Sequence, residues 1–179
     1  MKTNNKSITF AAAAMLIIGF SFNSFAQESL YTDYISNGLV YEADEDYKQA
    51  IVEYTKAIEM QPEQSLAYDK RAVAYTKIGK FKKAMLDLNM AISIDGKVCD
   101  YYNHRGIVYY CLQEYNKSMN DYTTALTYDP SNAKVYFNRG IVKLVLEDEN
   151  GAHSDMFTAS SLNLKVAKDY ITENNLSYN

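Results

Sequence analysis

The sequence predicts an all-α fold in which about four similar repeats stack into one array. A 34-residue period is the first sign, and it separates the three arginines of the chain, Arg71, Arg105 and Arg139. Small and aromatic residues recur at the same interval, as in Tyr34, Tyr68, Tyr102 and Tyr136. Within each repeat, apolar residues follow the 3.6-residue period of a helix. Such a period indicates stacking, because one repeat cannot bury its apolar face alone.

The period also predicts the boundaries of the array. The array should cover 27–164, with repeats at about 31–64, 65–98, 99–132 and 133–164, followed by a cap helix and a frayed tail at 165–179. Pro62 and Pro130 lie near repeat boundaries, where proline prevents a helix from continuing. Gly96 takes this place once, and we expect it to end a helix with a positive φ.

The third repeat carries a family resemblance. It reads Tyr102-x2-Arg105-Gly106-x2-Tyr109, then Ser118-x3-Tyr122, Ala125 and Pro130. This pattern resembles the tetratricopeptide repeat, which has the same period. The resemblance covers Tyr31 to about Leu164 and implies antiparallel helix pairs stacked into a right-handed α-solenoid. It also implies a concave, ligand-binding inner face, and it does not identify the ligand.

Residues 1–26 have the pattern of a secretory signal peptide. Lys2 and Lys6 precede an almost uncharged apolar run over 8–22, and small residues follow at 24–26. We therefore expect cleavage after Ala26 and an exported protein, either periplasmic or secreted. The run is short for a span of about 20 residues, so no stable membrane anchor is expected after cleavage.

The charge of the chain argues against nucleic acid as a partner. The sequence has 18 basic and 22 acidic residues, and loss of Lys2 and Lys6 leaves 16 basic residues and a net charge of −6. An acidic chain with three arginines lacks the basic surface that phosphate contacts require.

Within each repeat, two features predict how the helices pack. Glycine in a helix costs up to about 1 kcal/mol, so Gly106 indicates close approach of the second helix. The arginines recur in step with acids on the second helices. We expect a ladder of partly buried, bidentate pairs that ties helices together. Its acidic members are Glu53, Asp87, Asp121 and Asp155.

The fourth repeat departs from the pattern. Lys143 stands where tyrosine is expected, and Glu149 and His153 also replace apolar residues. Such polar replacements suit a terminal repeat close to solvent. The following helix is expected to cover its end with one face, which carries Val166, Ala167, Tyr170 and Ile171.

Catalytic, cofactor and metal sites are not expected. The two histidines, His104 and His153, lie in different repeats without metal-ligand spacing, and the acidic clusters at 44–46 and 147–149 suit solvated turns. Cys99 and Cys111 should lie about 18 Å apart on one helix, which excludes a bond between them. Two unpaired, mostly buried thiols are expected, with an intermolecular disulfide as the alternative.

The resemblance points to the first helices as the partner-binding groove. Its apolar anchors would be Ile107, Tyr110, Phe137, Ile141 and Leu144, and its orienting polar groups Asp69 and Asn103. The full candidate set is Leu39, Asp69, Val73, Asn103, Ile107, Tyr110, Phe137, Ile141 and Leu144. Some members of the family bind chaperone carboxylates with a basic pocket, but the matching positions Ile35, Leu39 and Lys70 do not form one.

The sequence therefore predicts a non-enzymatic adaptor that binds a protein segment, either an extended peptide or an amphipathic helix, in this groove. The alternative is a scaffold in which another copy of the chain covers the same groove. An enzyme is a distant third reading.

Overall fold

The computed structural model describes residues 28–176, and all regular structure in that range is helical. The predicted signal peptide and its cleavage site lie outside these residues, as do residues 177–179. The first helix, α1, is described over 28–43. The remaining helices are α2 (Tyr47–Met60), α3 (Ser65–Lys77), α4 (Phe81–Ile94), α5 (Cys99–Cys111), α6 (Tyr115–Tyr128), α7 (Ala133–Val145), α8 (Glu149–Ser161) and α9 (Lys165–Glu173).

The helices belong to two compact units, which divide after Pro62. Helices α1 and α2 lie in the first unit, and α3 to α9 lie in the second. In the second unit α3 packs on α4, α5 on α6 and α7 on α8, while α4 also contacts α5, α6 contacts α7 and α8 contacts α9. The prediction of an all-α fold of consecutive helix pairs is therefore confirmed. None of the described helices is long and apolar enough to span a membrane.

Each helix pair is closed by a matched small and large side chain. A Cβ added to Gly106 would lie 2.6 Å from Cε1 of Tyr122, so only glycine leaves room for this ring. Gly38 makes the same room for Tyr54 in the first unit. In the pair α3/α4 the first helix has alanine, Ala72, in place of glycine, and the second helix has Leu88 in place of the larger tyrosine. Both residues are fully buried. The expected close approach at Gly106 is confirmed, and the large residue on the second helix explains it.

The turn inside each helix pair contains one residue in the left-handed region. These residues are 34 positions apart, namely Glu45 (φ 58°), Gly79 (φ 71°), Gln113 (φ 60°) and Glu147 (φ 62°). Gly79 is the one glycine with positive φ among the described residues. The expectation for Gly96 is therefore wrong. Helix α4 already ends at Ile94, and Asp95 follows in an extended conformation.

The fourth helix pair is complete, but one side chain in it and one on the following helix α9 differ from expectation. Lys143 does not face solvent, because its Nζ lies 2.8 Å from Oδ2 of Asp155 and donates to the carbonyl of Gly151. Only 17% of its side chain is exposed. On α9, Ala167 is fully buried and Val166 is 48% exposed, so Val166 does not belong to the covering face.

Candidate functional site

The three arginines form the expected bidentate pairs with the second helices. Nε and Nη2 of Arg105 each donate to a carboxylate oxygen of Asp121 at 2.8 Å. Arg71 binds Asp87 and Arg139 binds Asp155 in the same way. Hydrogen bonding to the carboxylate of Asp121 raises the pKa of the Arg105 guanidinium. These arginines join helices, so they are not free to clamp a ligand.

The acidic row has one exception in the first unit. No arginine precedes Glu53 by 16 residues, where Asn37 stands, and Glu53 instead accepts a 2.6 Å bond from Lys56 on its own helix. Including Glu53 in the arginine ladder is therefore wrong. The ladder is confirmed for the three aspartates.

Polar side chains join consecutive first helices in the second unit. Nδ1 of His104 on α5 lies 2.6 Å from Oδ1 of Asp69 on α3. In the same register, Nδ2 of Asn138 on α7 donates to Oδ1 of Asn103 on α5 at 3.0 Å. Asp69 is 2% exposed and Asn103 6% exposed. Two of the residues predicted to orient a ligand are therefore buried between helices.

A small cavity lies between the exposed sides of α3 and α5. It has a volume of about 160 Å³ and is lined by Val73, Thr76, Lys77, His104 and Ile107. Val73 and Ile107 are members of the candidate set, and the structure brings them together. His104 was missing from that set. The sequence does contain a sign of its role. His104 follows Asp69 by 35 residues, and Asn138 follows Asn103 by the same number.

The remaining candidates differ in their surroundings. The ring of Tyr110 lies 5.7 Å from that of Tyr115, and Tyr110, like Ile107, packs against the core of the second unit. Tyr110 is therefore partly a core residue. Phe137, Ile141 and Leu144 are half-buried on α7. Leu39 is 42% exposed on α1, in the first unit.

The cysteines lie at the two ends of α5, and both are free. The 13-residue helix between them is continuous, which confirms that they cannot bond to each other. Cys99 is half-buried, and burial raises its pKa to about 11. Cys111 is exposed, so the expectation that both thiols are mostly buried is wrong for Cys111. Residues 28–176 contain no cluster of three or more histidine, cysteine or acidic side chains that could hold a metal ion.

Two models of known repeats match the sequence. One, described as "Tetratricopeptide repeat", matches residues 34–64, and another, described as "TPR repeat", matches residues 108–144. The chain therefore contains tetratricopeptide repeats. This fold is a scaffold for interactions between proteins, and proteins built from it are generally non-enzymatic adaptors.

Solved structures of tetratricopeptide proteins share the fold. A structure from a functional characterisation of Pseudomonas aeruginosa pilF is 24% identical with a TM-score of 0.72, and the match covers 77% of this chain and 63% of pilF. The chain thus spans less than two thirds of pilF. No curated protein matches the sequence.

Two further structures are complexes with peptides. The second TPR domain of human RPAP3, in complex with the HSP70 peptide SGPTIEEVD, is 26% identical with a TM-score of 0.62, and the match covers 65% of this chain and 98% of that domain. The first TPR of Spaghetti (RPAP3), bound to the HSP90 peptide SRMEEVD, is 26% identical with a TM-score of 0.63, covering 65% of this chain and 93% of that one.

Proposed function

We propose that the protein is an exported, non-enzymatic adaptor that binds a segment of a partner protein on the first helices of its repeats. The observation that carries this proposal is the cavity between α3 and α5. Its walls combine the aliphatic side chains of Val73 and Ile107 with the polar groups of Thr76, Lys77 and His104. A concave apolar site with a few converging polar groups is the usual form of a ligand-binding site.

The cavity is sized for one side chain of the partner. A volume of about 160 Å³ is smaller than the pockets of roughly 300–1,000 Å³ that hold drug-sized ligands. One apolar side chain of the partner would fill it and contact Val73 and Ile107. Lys77 at its rim would then bind a carbonyl or carboxylate of the partner backbone or a neighbouring side chain.

The surface continues onto α7, where further side chains could hold the rest of the segment. Phe137, Ile141 and Leu144 are half-buried there, at positions that one helix presents at i, i+4 and i+7. An extended peptide or an amphipathic helix offers apolar side chains at intervals that suit such a row. Asp69 and Asn103 would support this surface from beneath, through their bonds to His104 and Asn138.

Two further observations support the proposal. RPAP3 domains with the same fold bind peptides. Export rests on the sequence of residues 1–26, whose basic start, apolar run and small residues are typical of a signal peptide. The N-terminus of the protein recovered from an exporting host tests this part, and an intact Met1 would contradict it.

The binding site can be tested by closing the cavity. Thr76→Phe places a ring in it, while Thr123→Phe makes the same change at an exposed position of α6. Labelled protein is applied to an array of synthetic peptides that covers apolar and acidic sequences. We expect Thr76→Phe to lower the affinity for every peptide that the wild type selects by at least tenfold. Thr123→Phe should leave these affinities unchanged.

Circular dichroism of both variants controls for folding. Unchanged peptide binding by a folded Thr76→Phe variant would contradict the proposed site. The competing reading, a second copy seated on the same surface, predicts instead that the wild type changes mass with concentration and that Thr76→Phe abolishes this change.

A further inference from the structure

The turns inside the helix pairs of the second unit follow one another along one edge. A depression of about 510 Å³ is lined by residues 79–83, from the α3–α4 turn and the start of α4, together with Leu112, which follows α5. A second depression of about 300 Å³ is lined by residues 113–117, from the α5–α6 turn and the start of α6, together with Leu146, which follows α7. The α5–α6 turn therefore lies between the other two. We call this row of three turns the turn edge.

Charge is distributed unevenly along the turn edge. Its first end, the α3–α4 turn with the helix ends that adjoin it, carries Lys77, Lys80, Lys82 and Lys83, and no acidic residue stands between Asp69 and Asp87. Its other end, the α7–α8 turn, carries Glu147, Asp148 and Glu149 in succession, with no lysine or arginine between Lys143 and Lys165. In the middle turn, Lys117 and Glu114 form an ion pair with each other. The edge is thus basic at one end, neutral in the centre and acidic at the other.

The charges at both ends are free to bind a partner. Within the described residues, no ion pair involves Lys80 or Lys82 at the basic end, or Glu147 or Glu149 at the acidic end. The same edge also exposes apolar side chains next to these charges. Leu112 is 39% exposed, and Val145 and Leu146 are each 42% exposed.

From this pattern we propose that the turn edge binds the turn edge of a second copy of the chain, in antiparallel orientation. The basic end of each copy then faces the acidic end of the other, and the neutral centres meet. In both copies the basic and the acidic end lie two repeat periods apart. One antiparallel alignment therefore brings both pairs of opposite charges together. The arrangement has two-fold symmetry and closes as a dimer, which is the commonest form of protein self-assembly.

The chemistry of the edge favours a second copy over a nucleic acid or a lipid surface. The described residues carry 16 basic and 22 acidic side chains, so a polyanion would be repelled outside the α3–α4 turn. A second copy instead supplies an acidic turn preceded by exposed apolar residues, Val145 and Leu146. These side chains match the basic end, whose depression is partly lined by Phe81 and Leu112.

Exposed ion pairs are individually weak and are screened by salt. The dimer should therefore form at high protein concentration and low ionic strength. The test is sedimentation of the full chain over a range of protein concentrations, at about 50 mM and about 500 mM salt. We expect a monomer–dimer equilibrium whose dissociation constant rises at least tenfold at the higher salt concentration.

Charge reversal identifies the surfaces. One variant carries Lys80→Glu and Lys82→Glu, and the other carries Glu147→Lys and Glu149→Lys; Asp148 is kept because its side chain caps α8. Each variant alone should remain monomeric, because both contacts of its homodimer lose their charge complementarity. An equal mixture of the two should form a dimer, because one contact of the heterodimer joins two unchanged ends and at the other the introduced glutamates face the introduced lysines. The control Lys97→Glu/Lys134→Glu lowers the net charge as much as the lysine reversal does, away from the edge, and should dimerise like the wild type.

Several results would overturn the proposal. A wild type that stays monomeric at low salt would exclude the dimer and leave the basic turn to an acidic partner protein. Dimers that survive either reversal would place the interface elsewhere. Growth beyond the dimer would exclude the closed, antiparallel arrangement in favour of an open chain.

Discussion

The helix pairs α1/α2 and α5/α6 share one packing solution but differ in how their charges are joined. In both, glycine on the first helix makes room for a buried tyrosine on the second, at Gly38 and Tyr54 or at Gly106 and Tyr122. In α5/α6 an arginine also binds an aspartate across the pair. In α1/α2 the equivalent acid, Glu53, pairs within its own helix.

The difference shows which part of the repeat the fold requires. Shape complementarity at the helix crossing is present in both pairs, whereas the bridging ion pair is present in only one. We infer that the crossing residues define the pair and that the bridge adds stability to it. In α1/α2 a different bond crosses the pair, from the hydroxyl of Tyr54 to Oε2 of Glu42 at 2.9 Å.

The largest expected effect is at the ion pair of α5/α6. Arg105→Ala leaves the carboxylate of Asp121 buried without its bidentate partner, and the side chain of Asp121 is only 8% exposed. We expect a loss of about 2–3 kcal/mol in the free energy of unfolding. Lys56→Ala removes the exposed partner of Glu53 in α1/α2 and should leave the free energy of unfolding almost unchanged. Urea unfolding followed by circular dichroism measures both.

Two variants control this comparison. Arg105→Lys keeps the charge but loses the two parallel bonds, so its stability should lie between those of the wild type and Arg105→Ala. Asp121→Ala completes a double-mutant cycle, in which the double variant should be more stable than the sum of the single losses predicts. Additive losses would contradict a direct pair.

A smaller effect is expected at the helix crossing itself. Gly106→Ala forces the ring of Tyr122 to move, which costs about 2 kcal/mol after the gain in helix propensity. Adding Tyr122→Leu reproduces the alanine and leucine found at the crossing of α3/α4 and should recover most of this loss. Gly38→Ala should destabilise in the same direction, because α1/α2 has the same crossing.

Thermal unfolding of Gly106→Ala, Tyr122→Leu and the double variant measures the coupling. A double variant as unstable as the two single losses combined would show that the crossing does not depend on matched side-chain sizes.

Much of the fold could be predicted because the repeat makes each position visible several times. The arginine pairs with Asp87, Asp121 and Asp155 follow from one period, since each pair occupies equivalent positions and its separation of 16 residues places one partner on each helix of the pair. The failures occur where a position departs from the period. Lys143 replaces a tyrosine, and the period gave no sign that its side chain would be mostly buried and would bind Asp155.

The candidate site was harder to predict, because the same face of a first helix both packs and faces solvent. Asp69 and Asn103 look like groove residues by register, yet each binds the next first helix. Which of two adjacent polar positions is buried depends on how closely the helices approach, and that distance is not encoded in the spacing. The lysine-rich turn was visible in the sequence, but its place along an edge required the structure.

The smallest expected effect concerns the turns, where the two helix pairs should behave alike. Glu45 and Gln113 both occupy the left-handed region, which costs a residue with a Cβ about 1–2 kcal/mol. Glycine avoids this cost but loses about 0.5–1 kcal/mol in chain entropy, so Gln113→Gly and Glu45→Gly should each stabilise by about 0.5–1 kcal/mol. Gly79→Ala makes the reverse change and should destabilise by a similar amount.

Urea unfolding of these three variants tests whether turn geometry acts independently of the charges across the pair. Equal gains in the two glycine variants would show that it does, since only α5/α6 has an arginine bridge. A gain confined to Gln113→Gly would mean that the bridge holds the neighbouring turn in its strained conformation, and the two helix pairs would then differ in backbone energetics as well as in charge.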